Sequence, residues 1–184
     1  MDVKGVTLES GKKFVIDNFG EEGYNQWMSS LDSDVRDAYA ESIVTKWYPM
    51  RRNYVEPRKK VCELFYGGDL KGLWDMGRSD ADHGLKGIYK AFIRIATVGF
   101  VISRAKLILP MYFRPSVLKV TEKSKKDVTI RIVEFPEFDE YVELIIGGFM
   151  ERTTELCRCK GVNVEIPKSV TKADPYTEYH VSWQ

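Results

Sequence analysis

The order of apolar and polar positions divides the chain into a helical first part and a mixed second part. From about Glu9, the positions Phe14, Val15 and Phe19 follow helical spacing, and Gly20 marks a stop. Glu21 and Glu22 suit the first turn of a second helix, where carboxylates meet the positive end of the helix dipole; that helix carries Tyr24, Trp27, Met28 and Leu31. A third helix, capped by Asp32 or Asp34, carries Val35 and Tyr39. It ends by Trp47-Tyr48-Pro49, because the residue before a proline is pushed out of helical angles. A helix resumes near Pro57 with Val61, Leu64 and Phe65 on one face, and Gly67-Gly68-Asp69 breaks it. Residues 70–76 read as a short helix. Leu85, Ile88, Tyr89, Phe92 and Ile93 then form an i, i+3, i+4, i+7, i+8 stripe, and residues 98–109 continue the helical region until Pro110 or Pro115.

Beyond Pro115 the period changes. Residues 117–121 and 128–133 are β-branched runs on either side of a charged stretch, with Val128, Ile130 and Ile132 on one face, as in an antiparallel hairpin. Phe138, Tyr141, Val142, Ile145, Phe149 and Leu156 mark a long helix with Gly147 and Gly148 inside it. Each glycine costs about 1 kcal/mol relative to alanine, which points to close packing against another element or a ligand. Residues 162–166 and 176–183 give two more strands, with Tyr179, Val181 and Trp183 on one side of the last. The expected fold class is α+β: a helical N-terminal part packed on a four-stranded antiparallel sheet, whose C-terminal part runs β-β-α-β-β. One domain is expected over 1–184, helical over about 8–113 and β-β-α-β-β over about 117–183.

Composition adds limits. Lys and Arg total 28 against 27 Asp and Glu, a formal net charge of +1, which argues against a basic nucleic-acid binder. With 43% hydrophobic and 30% charged residues the chain is neither disordered nor a membrane protein by composition. The longest apolar region is interrupted by Arg94, Arg104 and Lys106, so no transmembrane segment is expected, and no apolar run follows the first lysines as in a signal peptide. The odd cysteine count (Cys62, Cys157, Cys159) fits no disulfide framework and suits a reducing, cytoplasmic setting.

Candidate chemistry is sparse. His83, beside Asp80 and Asp82, has the residue types of an oriented general base, but equally those of a solvated helix start. His180 reads as a strand surface residue. In Cys157-Arg158-Cys159 a cation next to a thiol is the one hint of reactivity, and Cys62 reads as a small core residue. Arg51, Arg52, Arg58, Lys59 and Lys60 around Tyr54, and Lys119, Lys123, Lys125 and Lys126, are two basic stretches, read as solvated faces offset by acidic segments. No Gly-rich phosphate loop, nucleophile elbow or HExxH zinc motif is present, so an enzyme is not expected.

The order of FGEEGYNQWMSSLD, then WYP, then GRSDADHGLKGIYKAFIR with FVISRAKLILPMYF, and finally ERTTELCRCKGVNVE with DPYTEYHVSW covers nearly the whole chain. It resembles an uncharacterised bacterial group in the superfamily that joins haem-nitric-oxide-binding domains, four-vinyl-reductase (4VR) domains and TRAPP tethering subunits. The 4VR-like hairpin carries two cysteines linked to metal binding. The matching positions here are Ser169 and Thr177, so the resemblance implies no metal. The haem branch implies a proximal histidine and a Tyr-x-Ser-x-Arg motif. The segment from Tyr112 to Ser116 holds those residue types in the wrong order, so no cofactor is expected and haem is disfavoured.

The resemblance implies a non-catalytic sensor or interaction domain that takes a small apolar ligand, a lipid or hydrocarbon, for signalling. The apolar seam expected to form its pocket, or to fill it as core, comprises Phe92, Ile95, Phe100, Val101, Leu107, Ile145, Phe149 and Met150. Two alternatives stand beside it. One is a homodimeric protein–protein module, or a docking site for a signalling partner, anchored by Trp27, Tyr39, Trp47 and Tyr48. The other is a haem-based gas sensor.

Overall fold

A computed structural model of the chain describes residues 1–84 and 97–184. A short strand β1 (Asp2–Lys4) leads into α1 (Val6–Ser29). The stop expected at Gly20 is a kink within that run, where Gly20 takes φ 69° and ψ −174° and helical geometry then resumes. That positive φ is available to glycine without a Cβ penalty. Then follow α2 (Ser33–Ala40), β2 (Trp47–Pro49), a π-helical turn over Arg51–Val55, α3 (Glu56–Phe65) and α4 (Lys71–Gly84). The second part is α5 (Val98–Tyr112), β3 (Phe113–Arg114), β4 (Val117–Lys123), β5 (Asp127–Glu134), α6 (Glu140–Leu156), β6 (Asn163–Lys168), a 3₁₀ turn over Val170–Lys172 and β7 (Thr177–Ser182).

The α+β class and the antiparallel sheet stand as expected. The two hairpins join in one sheet of order β4-β5-β7-β6. Antiparallel pairing of β5 with β7 sets Val128 opposite Val181 and Ile130 opposite Tyr179, so the alternation puts all four on one buried face. On the other face Arg131 pairs with Glu178 at 2.5 Å, and His180 lies beside Thr129. A second sheet, β2-β1-β3, was not anticipated. Trp47-Tyr48-Pro49 does not merely end a helix; it pairs with β1, Tyr48 opposite Val3. Three-residue strands are too short to show a period.

Helix α4 is described to Gly84, eight residues past the expected end near Met76. Its inner side includes Asp80, a charged residue that interrupts the apolar pattern. Helices α4 and α6 approach closely because their contact positions are glycines. A Cβ on Gly77 would meet the carbonyl of Ile145; one on Gly147 would meet the Trp74 ring, and one on Gly148 the Trp74 carbonyl. Arg78 clasps the pair by bonding Glu151 and Glu155, and Arg152 bonds Asp82 at 3.0 Å. Tyr179 fixes α6 to the sheet by donating to the Glu143 carbonyl at 2.9 Å. The apolar stripe expected over 85–93 lies outside the described residues.

Candidate functional site

Between α1, α5, α6 and the sheet lies an apolar chamber of about 110 Å³, measured to the centre of a water-sized sphere. One water needs roughly 10–15 Å³ on that measure, so the walls leave far more than a packing gap. Val101, Ile102 and Leu109 of α5 form one wall, Ile145, Phe149 and Met150 of α6 another. The sheet closes it with Leu118, Val128, Ile130 and Val181. The alternation that buries one face of β5 and β7 therefore also makes the chamber floor.

One end of the chamber is polar. Val6, Thr7 and Ser10 of α1, Tyr54 of the π-turn and Asp80 of α4 line it. Asp80 accepts from Ser10 Oγ at 2.5 Å, from Tyr54 Oη at 3.1 Å, and from Arg58 Nη2 at 3.2 Å to each carboxylate oxygen. The buried Arg58 guanidinium lies 3.7 Å from the Tyr54 ring centroid and donates to the Thr7 carbonyl at 3.0 Å. Its Nε is buried without a partner among the described residues. Burial works against the charge of Arg58, and Asp80 outweighs it, holding the guanidinium protonated. Burial, then the charge of Asp80, pushes the Tyr54 phenol well above its usual value. Tyr39, donating to the Asn53 carbonyl at 3.1 Å, is pushed by burial to about 12.

The structure brings together Val101, Ile145, Phe149 and Met150 of the expected seam. Phe100 and Leu107 do not line the chamber; they are 40% and 50% exposed on the outer side of α5. That helix is apolar on both sides, so spacing alone did not fix which side turns inward. Phe92 and Ile95 lie outside the described residues. The contributions of α1 and of Asp80 were missed, since polar positions at a helix start read as solvated.

The structure gives several other candidate residues partners of their own. Asp80 and Asp82 do not orient His83, being bonded to Arg58 and Arg152. The His83 Nδ1 lies 2.8 Å from the Ser79 carbonyl, and its Nε2 faces Asp17 at 3.9 Å. The thiol of Cys157 is pushed up to about 11 by burial, then by Cys159, so Arg158 does not activate it; Cys62 is likewise raised to about 11 by burial. The interface anchors proposed from sequence are largely internal: Trp27, Tyr39 and Tyr48 are buried in the core. Trp47 lies under Lys4 and Arg114. In the basic stretch around Tyr54, Arg51 pairs with Asp139, Arg52 with Asp34, Lys59 with Glu56, and Lys60 with Glu63. Ser169 and Thr177 are buried near Glu143, to which Ser169 donates. No helix among the described residues is long and apolar enough to cross a membrane.

No family model matches the sequence, and no curated protein is significantly similar to it. Solved structures are similar over nearly the full length. An H-NOX protein from S. oneidensis in the Fe(II)NO state covers 98% of this chain and 99% of its own, at 9% identity and a TM-score of 0.76. The Fe(II) unliganded H-NOX protein from K. algicida gives 98% and 96%, 12% identity and 0.68. A structure described by haem redox potential and porphyrin distortion gives 98% and 99%, 11% identity and 0.70. The 4VR and TRAPP side of the resemblance gains no support from these.

The expectation of no cofactor is overturned by these comparisons, because the neighbours are H-NOX proteins in stated iron ligation states. The chamber's apolar walls suit a haem macrocycle, but the donor set among its described residues does not fit haem anchored by histidine and clamped by arginine. The chain's two histidines are His83 and His180, and neither lines the chamber; among the described residues no arginine or lysine does. His180 alternates with the inward Tyr179 and Val181, so its ring leaves by the opposite face of the sheet. Architecture, coverage and TM-score together give the chain the fold of the H-NOX proteins.

Proposed function

We propose that the chain is a non-catalytic sensor domain whose ligand occupies the apolar chamber. The observation that carries this is the chamber itself, left open by walls from α1, α5, α6 and the sheet in a fold shared with H-NOX proteins. An occupant there touches four elements at once, so its presence can alter how they pack, which is what a sensor requires. Haem is the first ligand of this reading, supported by the fold that the chain shares with H-NOX proteins in stated iron states. The lining makes its hold on this chain one of apolar packing rather than histidine ligation.

A second reading, a lipid or hydrocarbon ligand, is favoured by the wall of Val, Ile, Leu and Phe side chains. One experiment separates the two. The purified protein is titrated with haem and followed by absorption, and in parallel with long-chain alcohols followed by thermal shift. A saturable Soret change at one haem per chain supports the first reading. A thermal shift with a long-chain alcohol and no Soret change supports the second. Neither response, in a folded protein, overturns the proposal.

A further inference from the structure

The polar end of the chamber carries information about ligand chemistry, on the reading that the chamber is a ligand site. A carboxylate has about four lone-pair positions. Asp80 receives three donors: the Ser10 hydroxyl, the Tyr54 hydroxyl and one Arg58 Nη2 N–H shared between its two oxygens, the other Nη2 proton going to the Thr7 carbonyl. Both carboxylate oxygens are engaged, and the ion-paired group can only accept. The two hydroxyls are likewise left with acceptor capacity alone. Each has given its proton to Asp80, and neither oxygen accepts a hydrogen bond from any described residue. What remains for the chamber are lone pairs on Ser10 Oγ and Tyr54 Oη, both belonging to residues of its wall.

We infer that the chamber selects a ligand with a hydrogen-bond donor, an O–H or N–H group, at one end of an apolar body, and discriminates against one whose only polar group is an acceptor. An acceptor placed there meets two oxygens with no proton to share. Rotating either hydroxyl toward it takes a bond from a buried ion pair, whose acceptor is then left short. The arrangement is fixed from three sides: Arg58 is held by the Thr7 and Tyr54 carbonyls as well as by Asp80. The hydroxyl protons are thus committed before a ligand arrives, and the selectivity is built into the free protein.

The test uses two isomers, 1-octanol and heptyl methyl ether, which match in heavy-atom number and differ in the donor. Binding of each is measured by competition NMR in the wild type, Ser10→Ala, Tyr54→Phe and Val101→Trp, the last filling the chamber. The alcohol should bind about tenfold more tightly than the ether, the yield of one hydrogen bond whose alternative is an unpaired group. That preference should shrink in Ser10→Ala and in Tyr54→Phe, and Val101→Trp should lose both ligands. Equal binding of the isomers, lost in Val101→Trp, overturns the donor rule while leaving the chamber a ligand site. Tighter binding of the ether does the same. Binding of neither isomer to the wild type removes the chamber reading and the inference with it.

Discussion

Gly148 of α6 rests against the backbone carbonyl of Trp74 in α4, a contact with no room for a Cβ. The cost of a glycine within a helix is accepted there for the sake of helix approach. Gly148→Ala should therefore destabilise the protein despite improving helix propensity. Propensity returns about 1 kcal/mol, while forced separation of packed helices costs typically about 1–3 kcal/mol. Thermal unfolding should show a midpoint lowered by a few degrees. A raised midpoint would mean that α4 and α6 are not so tightly apposed.

The Arg58–Asp80 pair makes a second prediction. Arg58→Met leaves a buried carboxylate with two hydroxyl donors and no counter-charge, at a cost of about 3–5 kcal/mol. Adding Asp80→Leu removes the stranded charge and should recover much of that loss. Urea unfolding of the single and double variants measures this coupling, and strictly additive losses would contradict it.

Glu143 sets a pH dependence. Burial raises its carboxyl above the usual value, against the opposing Ser169 hydrogen bond. The folded state then holds a proton more tightly than the unfolded state, so stability falls as pH rises from the ordinary carboxylate range through the raised folded value. Glu143→Gln removes this loss. It should be more stable than wild type at neutral pH, with the advantage fading on acidification below the usual glutamate value of 4.5. Chemical unfolding at several pH values tests the sign, and an advantage that grows in acid would refute it.

Neither histidine faces the chamber, which separates this chain's site from one built on imidazole. His83→Ala and His180→Ala should therefore leave ligand affinity within about twofold of wild type, by whichever of the two titrations detects binding. A tenfold loss in either variant would place a histidine at the ligand.

Much of this architecture is legible in the chain, for identifiable reasons. Val128, Ile130 and Ile132 alternate strictly, and so do Tyr179, Val181 and Trp183, so both hairpins and their shared buried face follow from period alone. Gly147 and Gly148 announced a close contact, and the contact is Trp74. The small sheet was hidden because its strands are two or three residues long. The chamber was half legible. Ile145, Phe149 and Met150 come from a helix with a clear stripe, whereas α5 is apolar on both sides and gave Phe100 and Leu107 together with Val101. Its polar end was not readable at all, since Ser10, Tyr54, Arg58 and Asp80 meet only after four separate elements have packed.

The most direct test of the chamber as a ligand site is native mass spectrometry of wild type and Val101→Trp purified from cells and then exposed to haem and, separately, to a long-chain alcohol. The account predicts one bound molecule per chain in the wild type and none in the folded variant. A wild-type protein that stays bare with both, or a variant that keeps its ligand, would contradict it.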